Sequence, residues 1–261
     1  MKQVALITGA SSGIGRELAR IHAEAGGDVV AVATNAGRLE ALKRELQDEF
    51  GVTVMAVVKD LTKAGAASEL HQEIREAGVD VEVLINNAGF GGQGKFHERD
   101  WQSDLDMINL NVVALTELTR RFLPDLVARG SGRILNVSST ASLVPGPLQA
   151  VYYATKAFVT SFSNAISSEL QGTDVTVTNL MPGATETGFA KTSGMEKTDL
   201  FASMVSARSV AADGYAGLLR GDLDVISGLS FSQRVMVSLA RILPKRIVMD
   251  QIRKGQEIRA G

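Results

Sequence analysis

Apolar residues recur along this chain in two alternating rhythms. Short apolar-rich runs fall at 3–8, 28–33, 52–58, 81–86, 132–138, 174–180 and 222–226. Each has the length of a strand buried on both faces. Between them, apolar residues return every three or four positions, which predicts helices near 13–25, 37–49, 63–77, 99–129, 151–170 and 207–220. Such alternation predicts parallel βαβ units: a doubly wound α/β domain, with a sheet of about seven strands and helices on both faces.

Two segments break the rhythm. Residues 187–206 mix Thr, Ser, Gly and Met with scattered Phe189, Met195, Leu200 and Phe201, which predicts a mobile lid holding one short helix. Beyond 228, Val235, Met236, Leu239, Ile242 and Leu243 form an apolar helical stripe beside Arg234 and Arg241. A basic helical pattern follows through Arg246, Ile247, Val248, Ile252, Arg253 and Lys254. The chain therefore divides into a domain at 1–228 and a helical extension at 229–261. The extension is expected to pack on its own domain or on a second copy of the chain. A basic amphipathic helix also suits a membrane surface.

Composition narrows the function classes. With 261 residues and 45% apolar content the chain can bury a large core. A net charge of -2 gives no reason to expect a nucleic-acid partner. The absence of cysteine excludes disulfides and thiolate chemistry and fits a reducing cytoplasm. The start, Met1-Lys2-Gln3, enters a strand directly, so no signal peptide is expected. His22, His71 and His97 are scattered without ligand spacing, so no metal is expected.

The candidate chemistry begins at the first strand. Val4-Ala5-Leu6-Ile7 runs into Thr8-Gly9-Ala10-Ser11-Ser12-Gly13-Ile14-Gly15, and an amphipathic helix follows. Glycines at this strand-to-helix turn let backbone N–H groups and the helix N-terminus approach a pyrophosphate. A second signal is Tyr152 with Lys156. At i and i+4 they share a helix face, and a cation beside a phenol is expected to draw its pKa down toward neutrality. Tyr153, at i+3 from Lys156, could face it too.

Further motifs lie in register with these two: Asp60-Leu61-Thr62, Asn86-Asn87-Ala88-Gly89, Asn111, Ser138-Ser139, and Pro182-Gly183 with Thr187. In this order and spacing they resemble the short-chain dehydrogenase/reductase family in its single-domain form, from residue 2 to about 228. The resemblance implies a Rossmann fold, a nicotinamide dinucleotide cofactor, and hydride transfer between an alcohol and a carbonyl. It implies a catalytic set of Asn111, Ser139, Tyr152 and Lys156. Tyr152 would protonate the developing alkoxide, Ser139 would hold the carbonyl oxygen, and Lys156 would bond the nicotinamide ribose. Asn111 would hold a relaying water, with Asn109 the alternative. Ser138 and Tyr153 would be structural. The cofactor would lie along Gly9, Ser11, Ser12, Gly13, Ile14 and Gly15, then Asp60 and Leu61, then Asn87, Ala88 and Gly89. Pro182, Gly183, Thr185 and Thr187 would hold its nicotinamide end. Asp60 or Thr62 would equally serve as a helix N-cap. The family also implies a homodimer or homotetramer.

Cofactor choice is read at the end of the second strand. Ala33 stands where the family's NAD enzymes carry Asp, and Thr34 where many NADP enzymes carry Arg. No acid lies between Asp28 and Glu40, so nothing repels a 2′-phosphate. Thr34, Asn35, Ser11, Ser12 and Arg38 could donate to it, which favours NADP over NAD. Candidate substrate contacts are Phe90, Gly91, Ala141, Val144, Gln149 and Phe189, with Gly92, Gln93, Phe96, Leu143 and Pro145 beside them. These are mostly apolar or small, and they predict a lipophilic ketone or aldehyde.

Overall fold

The computed structural model describes residues 3–195, 204–230, 233 and 243–257. Seven parallel strands form one sheet: β1 (Val4–Thr8), β2 (Asp28–Ala33), β3 (Val54–Val58), β4 (Val83–Asn86), β5 (Gly132–Val137), β6 (Val175–Pro182) and β9 (Asp224–Ser227). Their order is β3-β2-β1-β4-β5-β6-β9. The chain winds outward from β1 to one edge, then returns to β4 and winds to the other. The strand order thus reverses between β1 and β4, and ligands bind at the carboxyl ends of strands beside such a reversal.

Side-chain alternation explains the two helical layers. In β1, Ala5 and Ile7 face one core and Leu6 the other; in β2, Val29, Ala31 and Ala33 oppose Val30 and Val32. The first face is covered by α1 (Gly13–Glu24), α2 (Ala36–Phe50) and α8 (Ala207–Arg220) through Leu18, Leu39, Leu42 and Leu218. The second is covered by α3 (Ala66–Glu76), α5 (Leu115–Arg129) and α6 (Ala150–Glu169) through Leu70, Ile74, Leu118 and Phe122. Burial on both faces is why these strands read as continuous apolar runs.

Several boundaries differ from the sequence pattern. The helix expected at 99–129 is α4 (Trp101–Ile108), a π-helical turn at Asn109–Ala114, and α5. The helix expected from 63 begins at Ala66, with Gly65 as its N-cap. Asp60 therefore does not cap it. Its Oδ1 instead accepts from the Thr62 backbone N (3.0 Å) and hydroxyl (2.7 Å), closing a turn of its own. The expected lid contains α7 (Phe189–Thr192), and its flanks pair as β7 (Thr185–Glu186) with β8 (Val205–Ser206). Leu200, Phe201 and the stripe from Val235 to Ile242 lie outside the described residues. The last helix, α9 (Lys245–Gln256), buries Val248 and Gln256. No helix among the described residues is long and apolar enough to cross a membrane.

Candidate active site

A single cavity of about 860 Å³ runs across the carboxyl ends of the strands, from Arg38 and Asp60 at one end to Tyr152 and Ile252 at the other. The glycine turn forms its floor. Thr8 ties β1 to β4 there: its hydroxyl accepts from the backbone N of Asn87 and of Ala88, each at 3.0 Å. Asn87 returns the contact, donating to the Thr8 carbonyl at 2.9 Å. The glycines are sterically required. Gly9 has φ +68, and a Cβ on it would stand 2.7 Å from Asn87 Nδ2. A Cβ on Gly13 would stand 2.9 Å from Thr187 Cγ2. Gly15 does not line the cavity; a Cβ there would meet the Gly9 carbonyl at 2.4 Å, so it lets α1 pack against the turn. The first turn of α1 has no acid, and Ser12, its N-cap, makes no side-chain capping bond.

Ser11, Ser12, Ile14, Thr34, Asn35, Arg38, Asp60, Leu61, Ala88 and Gly89 all line this half of the cavity. Asn35 caps α2, its Oδ1 accepting from the Arg38 backbone N at 2.9 Å, which leaves its amide hydrogens for a ligand. Among the described residues Asp60 is the one carboxylate on the cavity wall. Lys59 also lines it, a residue that sequence reasoning missed. Its Nζ lies 3.5 Å from Glu69 and from Glu73. Only its place beside Asp60 at a strand end could have signalled it. Pro182, Gly183, Thr185 and Thr187 line the middle. The Thr185 hydroxyl donates to the Gly183 carbonyl at 2.9 Å, and Thr187 Oγ1 accepts from the Phe189 N at 3.2 Å.

Ser139, Tyr152 and Lys156 meet on the cavity wall. Ser139 follows β5 and caps a short helical turn, its Oγ accepting from the Ala141 N at 3.1 Å. Ser138 turns the other way and bonds the Lys156 carbonyl (2.9 Å) and the Thr160 hydroxyl (2.8 Å). The Lys156 Nζ donates to the Val137 carbonyl at 2.8 Å and stands 6.0 Å from the centre of the Tyr152 ring. The expected fall in the Tyr152 pKa is not found. Burial raises it well above the ordinary phenol value, against a hydrogen bond with Ser139 that pulls it down. Burial also pushes Lys156 down, to about 8. Both groups are enclosed, and loss of water disfavours the charged form of each.

The Asn111 side chain, expected near a relaying water, has protein partners. It does not line the cavity. It sits buried in the π-helical turn, where its Oδ1 accepts from the Phe90 N (3.2 Å) and its Nδ2 donates to the Phe90 carbonyl (3.0 Å) and Thr155 Oγ1 (3.0 Å). The side chain is spent clamping the loop after β4. A Cβ on Gly89 would be 2.9 Å from Asn111 Oδ1 and 3.3 Å from Lys156 Nζ, so all three crowd together.

At the far end the cavity is lined by Phe90, Ala141, Val144, Gln149, Tyr153 and Phe189. Gly91 lies just behind, where a Cβ would meet the Phe189 ring at 2.7 Å. Phe96 points to solvent with 62% exposure, and Leu143 and Pro145 are not on the wall. The C-terminal helix supplies what sequence reasoning missed. Ile252 lines the cavity and packs on Met107, Tyr152 and Tyr153. Gln256 is fully buried; its Nε2 donates to the Tyr153 hydroxyl at 2.7 Å and its carbonyl accepts from Gln93. The basic helical pattern from Arg246 to Lys254 marked α9 as a helix, but nothing local said which surface it would cover.

The sequence signature of the short chain dehydrogenases matches residues 3–198. The NADP-dependent 3-hydroxy acid dehydrogenase YdfG of Salmonella typhi is 38% identical over 184 residues, covering 69% of this chain and 71% of that protein. A short-chain dehydrogenase from Sphingobium yanoikuyae, solved in complex with NADPH, superposes with a TM-score of 0.82 at 33% identity, covering 98% of each chain. The bulky-bulky ketone specific alcohol dehydrogenase from Comamonas testosteroni gives 0.78 at 29% identity, covering 98% of this chain and 96% of that one. The chain belongs to the short-chain dehydrogenase family and is an oxidoreductase of its CH–OH-acting class.

Proposed function

We propose that this protein interconverts an alcohol and a ketone or aldehyde with NADP(H), and that its carbonyl substrate is lipophilic. One observation carries the reading: a continuous cavity joins the glycine turn to Ser139, Tyr152 and Lys156. The residues fit a dinucleotide. Glycines keep the turn open where a Cβ would collide, and the α1 N-terminus offers backbone N–H groups without a competing acid. At the adenosine end Thr34, Asn35, Arg38 and Ser12 surround a site where Ala33 replaces an acid. That favours the 2′-phosphate, as do relatives named or solved with NADP(H).

When bound, the reduced nicotinamide supplies a hydride to the carbonyl carbon. Tyr152 donates its phenolic proton to the developing alkoxide oxygen. The phenol carries its proton at neutral pH, as donation to the alkoxide requires. The Ser139 hydroxyl holds the same oxygen by a hydrogen bond, preorganised by its place at the end of β5. Lys156, held by the Val137 carbonyl, supplies positive charge beside the phenol and a donor toward the ribose. Phe90, Val144, Phe189 and Ile252 exclude water from the reacting end and accept an apolar substituent.

Titration with NADPH and NADH tests the cofactor assignment. One hydrogen bond to a charged phosphate contributes roughly 1.5–3 kcal/mol, which predicts about a ten- to hundredfold preference for NADPH. Ala33→Asp should reverse it by repelling the phosphate and accepting from the ribose hydroxyls. Thr34→Arg should strengthen it. Tighter NADH binding by the wild type would defeat the assignment.

A further inference from the structure

The reacting end of the cavity is largely apolar, and the polar side chains on its wall outside the catalytic set include Thr140, Tyr153 and Gln149. Gln149 lies on its wall, yet only 2% of the residue is exposed. Its Oε1 is buried without a hydrogen-bond partner, and among the described residues no bond is made by its side chain at all. A buried carboxamide left unpaired costs stability, and native proteins retain such groups at few places. The backbone holds it there at further cost. Leu148, the residue before it, has φ +66, a left-handed conformation that a branched side chain seldom adopts. Leu148 is pinned by its carbonyl, which accepts from the Gly94 N at 2.9 Å. Gln149 is the N-cap of α6, three positions before Tyr152, and both residues line the cavity.

We infer that Gln149 binds a second oxygen function of the substrate, on a carbon adjacent to the reacting carbonyl or one further along. The preferred substrate is then a lipophilic hydroxy-ketone or keto-acyl compound rather than a plain ketone. A carboxamide both donates and accepts, so it matches a hydroxyl or a carbonyl oxygen. An ionised carboxylate has no cation to meet at this end besides Lys156 among the described wall residues. The inference rests on the oxidoreductase reading above.

The test compares an unbranched methyl ketone with counterparts of equal chain length that carry a hydroxyl or second carbonyl on the adjacent or next carbon. Turnover of each is followed with NADPH for the wild type and for Gln149→Met, which keeps the volume and removes the hydrogen bonding. The wild type should favour an oxygenated ketone in kcat/KM by ten- to a hundredfold on the order of magnitude, and Gln149→Met should bring that ratio toward unity. Gln149→Met should also raise the Tm of the protein without ligand, because it removes an unpaired buried amide. A wild-type ratio near unity, or a ratio unchanged in Gln149→Met, would overturn the inference and leave the oxidoreductase reading standing. A lower Tm with an unchanged ratio would make Gln149 structural. Failure of the wild type to reduce any of the ketones would remove the oxidoreductase reading itself.

Discussion

Tyr152 and Lys156 stand one helical turn apart on α6, yet burial drives their acidities apart: the phenol holds its proton harder and the ammonium gives its proton up sooner. Tyr152→Phe removes the proposed proton donor and should lower kcat by about 10²–10⁴-fold while cofactor binding persists. Tyr153→Phe should spare turnover but lower Tm, because Gln256 Nε2 loses its partner in a buried site, a cost of about 1–3 kcal/mol. Loss of turnover in Tyr153→Phe alone would show that the donor had been misassigned. Lys156 sets a pH limit. It is charged below about pH 8 and neutral above, so kcat/KM for NADPH, which reports the free enzyme, should fall as pH rises through about 8. The unfolded chain keeps that proton up to the ordinary 10.5, so between about 8 and 10.5 it binds more protons than the folded one. Over that window this group makes stability rise with pH, opposite to its effect on rate. A pH profile flat across about 8 would remove the assignment. Spacing narrowed the candidates, because i and i+4 share a helix face and strand alternation separates Ser138 from Ser139, and the family resemblance chose Tyr152 over Tyr153 and Ser139 over Ser138. Their acidities were not legible, because desolvation depends on what folds over them from elsewhere in the chain.

The elements were legible wherever an apolar period runs uninterrupted. The π-helical turn at Asn109–Ala114 escaped because one wide turn shifts the apolar stripe too little to break its rhythm, although Asn109 and Asn111 in mid-helix marked the place. The β7–β8 pair escaped because two residues carry no period. The union of α1 with α8 illustrates a third case. His22 on α1 is buried, with Nδ1 2.9 Å from the Tyr215 hydroxyl on α8 and Nε2 3.0 Å from the Gln3 carbonyl. Gly27 leaves room for the ring: a Cβ there would stand 2.1 Å from His22 Nε2. Burial lowers the His22 pKa below its ordinary 6.5, against the nearby Gln3 carbonyl. As pH falls, the unfolded chain therefore takes up this proton before the folded one does, and stability declines as pH drops below about 6.5. His22→Gln should be less stable near neutrality and should show a shallower decline. Melting temperatures at about pH 7.5 and about pH 5.5 give the comparison; parallel declines in both proteins would mean that another group governs the acid limb.

At the scale of the whole molecule, the extension expected to pack on its own domain or on a second copy of the chain turns inward over part of its length. Ile252 closes the reacting end of the cavity, and Gln256 ties α9 to Tyr153 and Gln93. Tyr153 and Gln256 are 103 positions apart, a distance over which no local pattern can report a contact. The sheet could be read because each strand declares its own burial; the docking of α9 could not, because a helical pattern states that a helix forms and not what it covers. The structure assigns α9 a consequence for selectivity. Ile252→Ala removes wall methylenes worth about 0.8 kcal/mol each, so KM should rise about tenfold for a small ketone and less, or not at all, for a bulky one that fills the gap. Gln256→Ala leaves the Tyr153 hydroxyl unpaired and unlatches the helix, so Tm should fall and KM for every ketone should rise. Neither change touches the adenosine half of the cavity, so NADPH affinity should hold, and sedimentation should match the wild type. Unaltered ketone KM values together with a changed sedimentation coefficient would return the helix to an intersubunit role and leave the wall of the substrate site to be built by other residues.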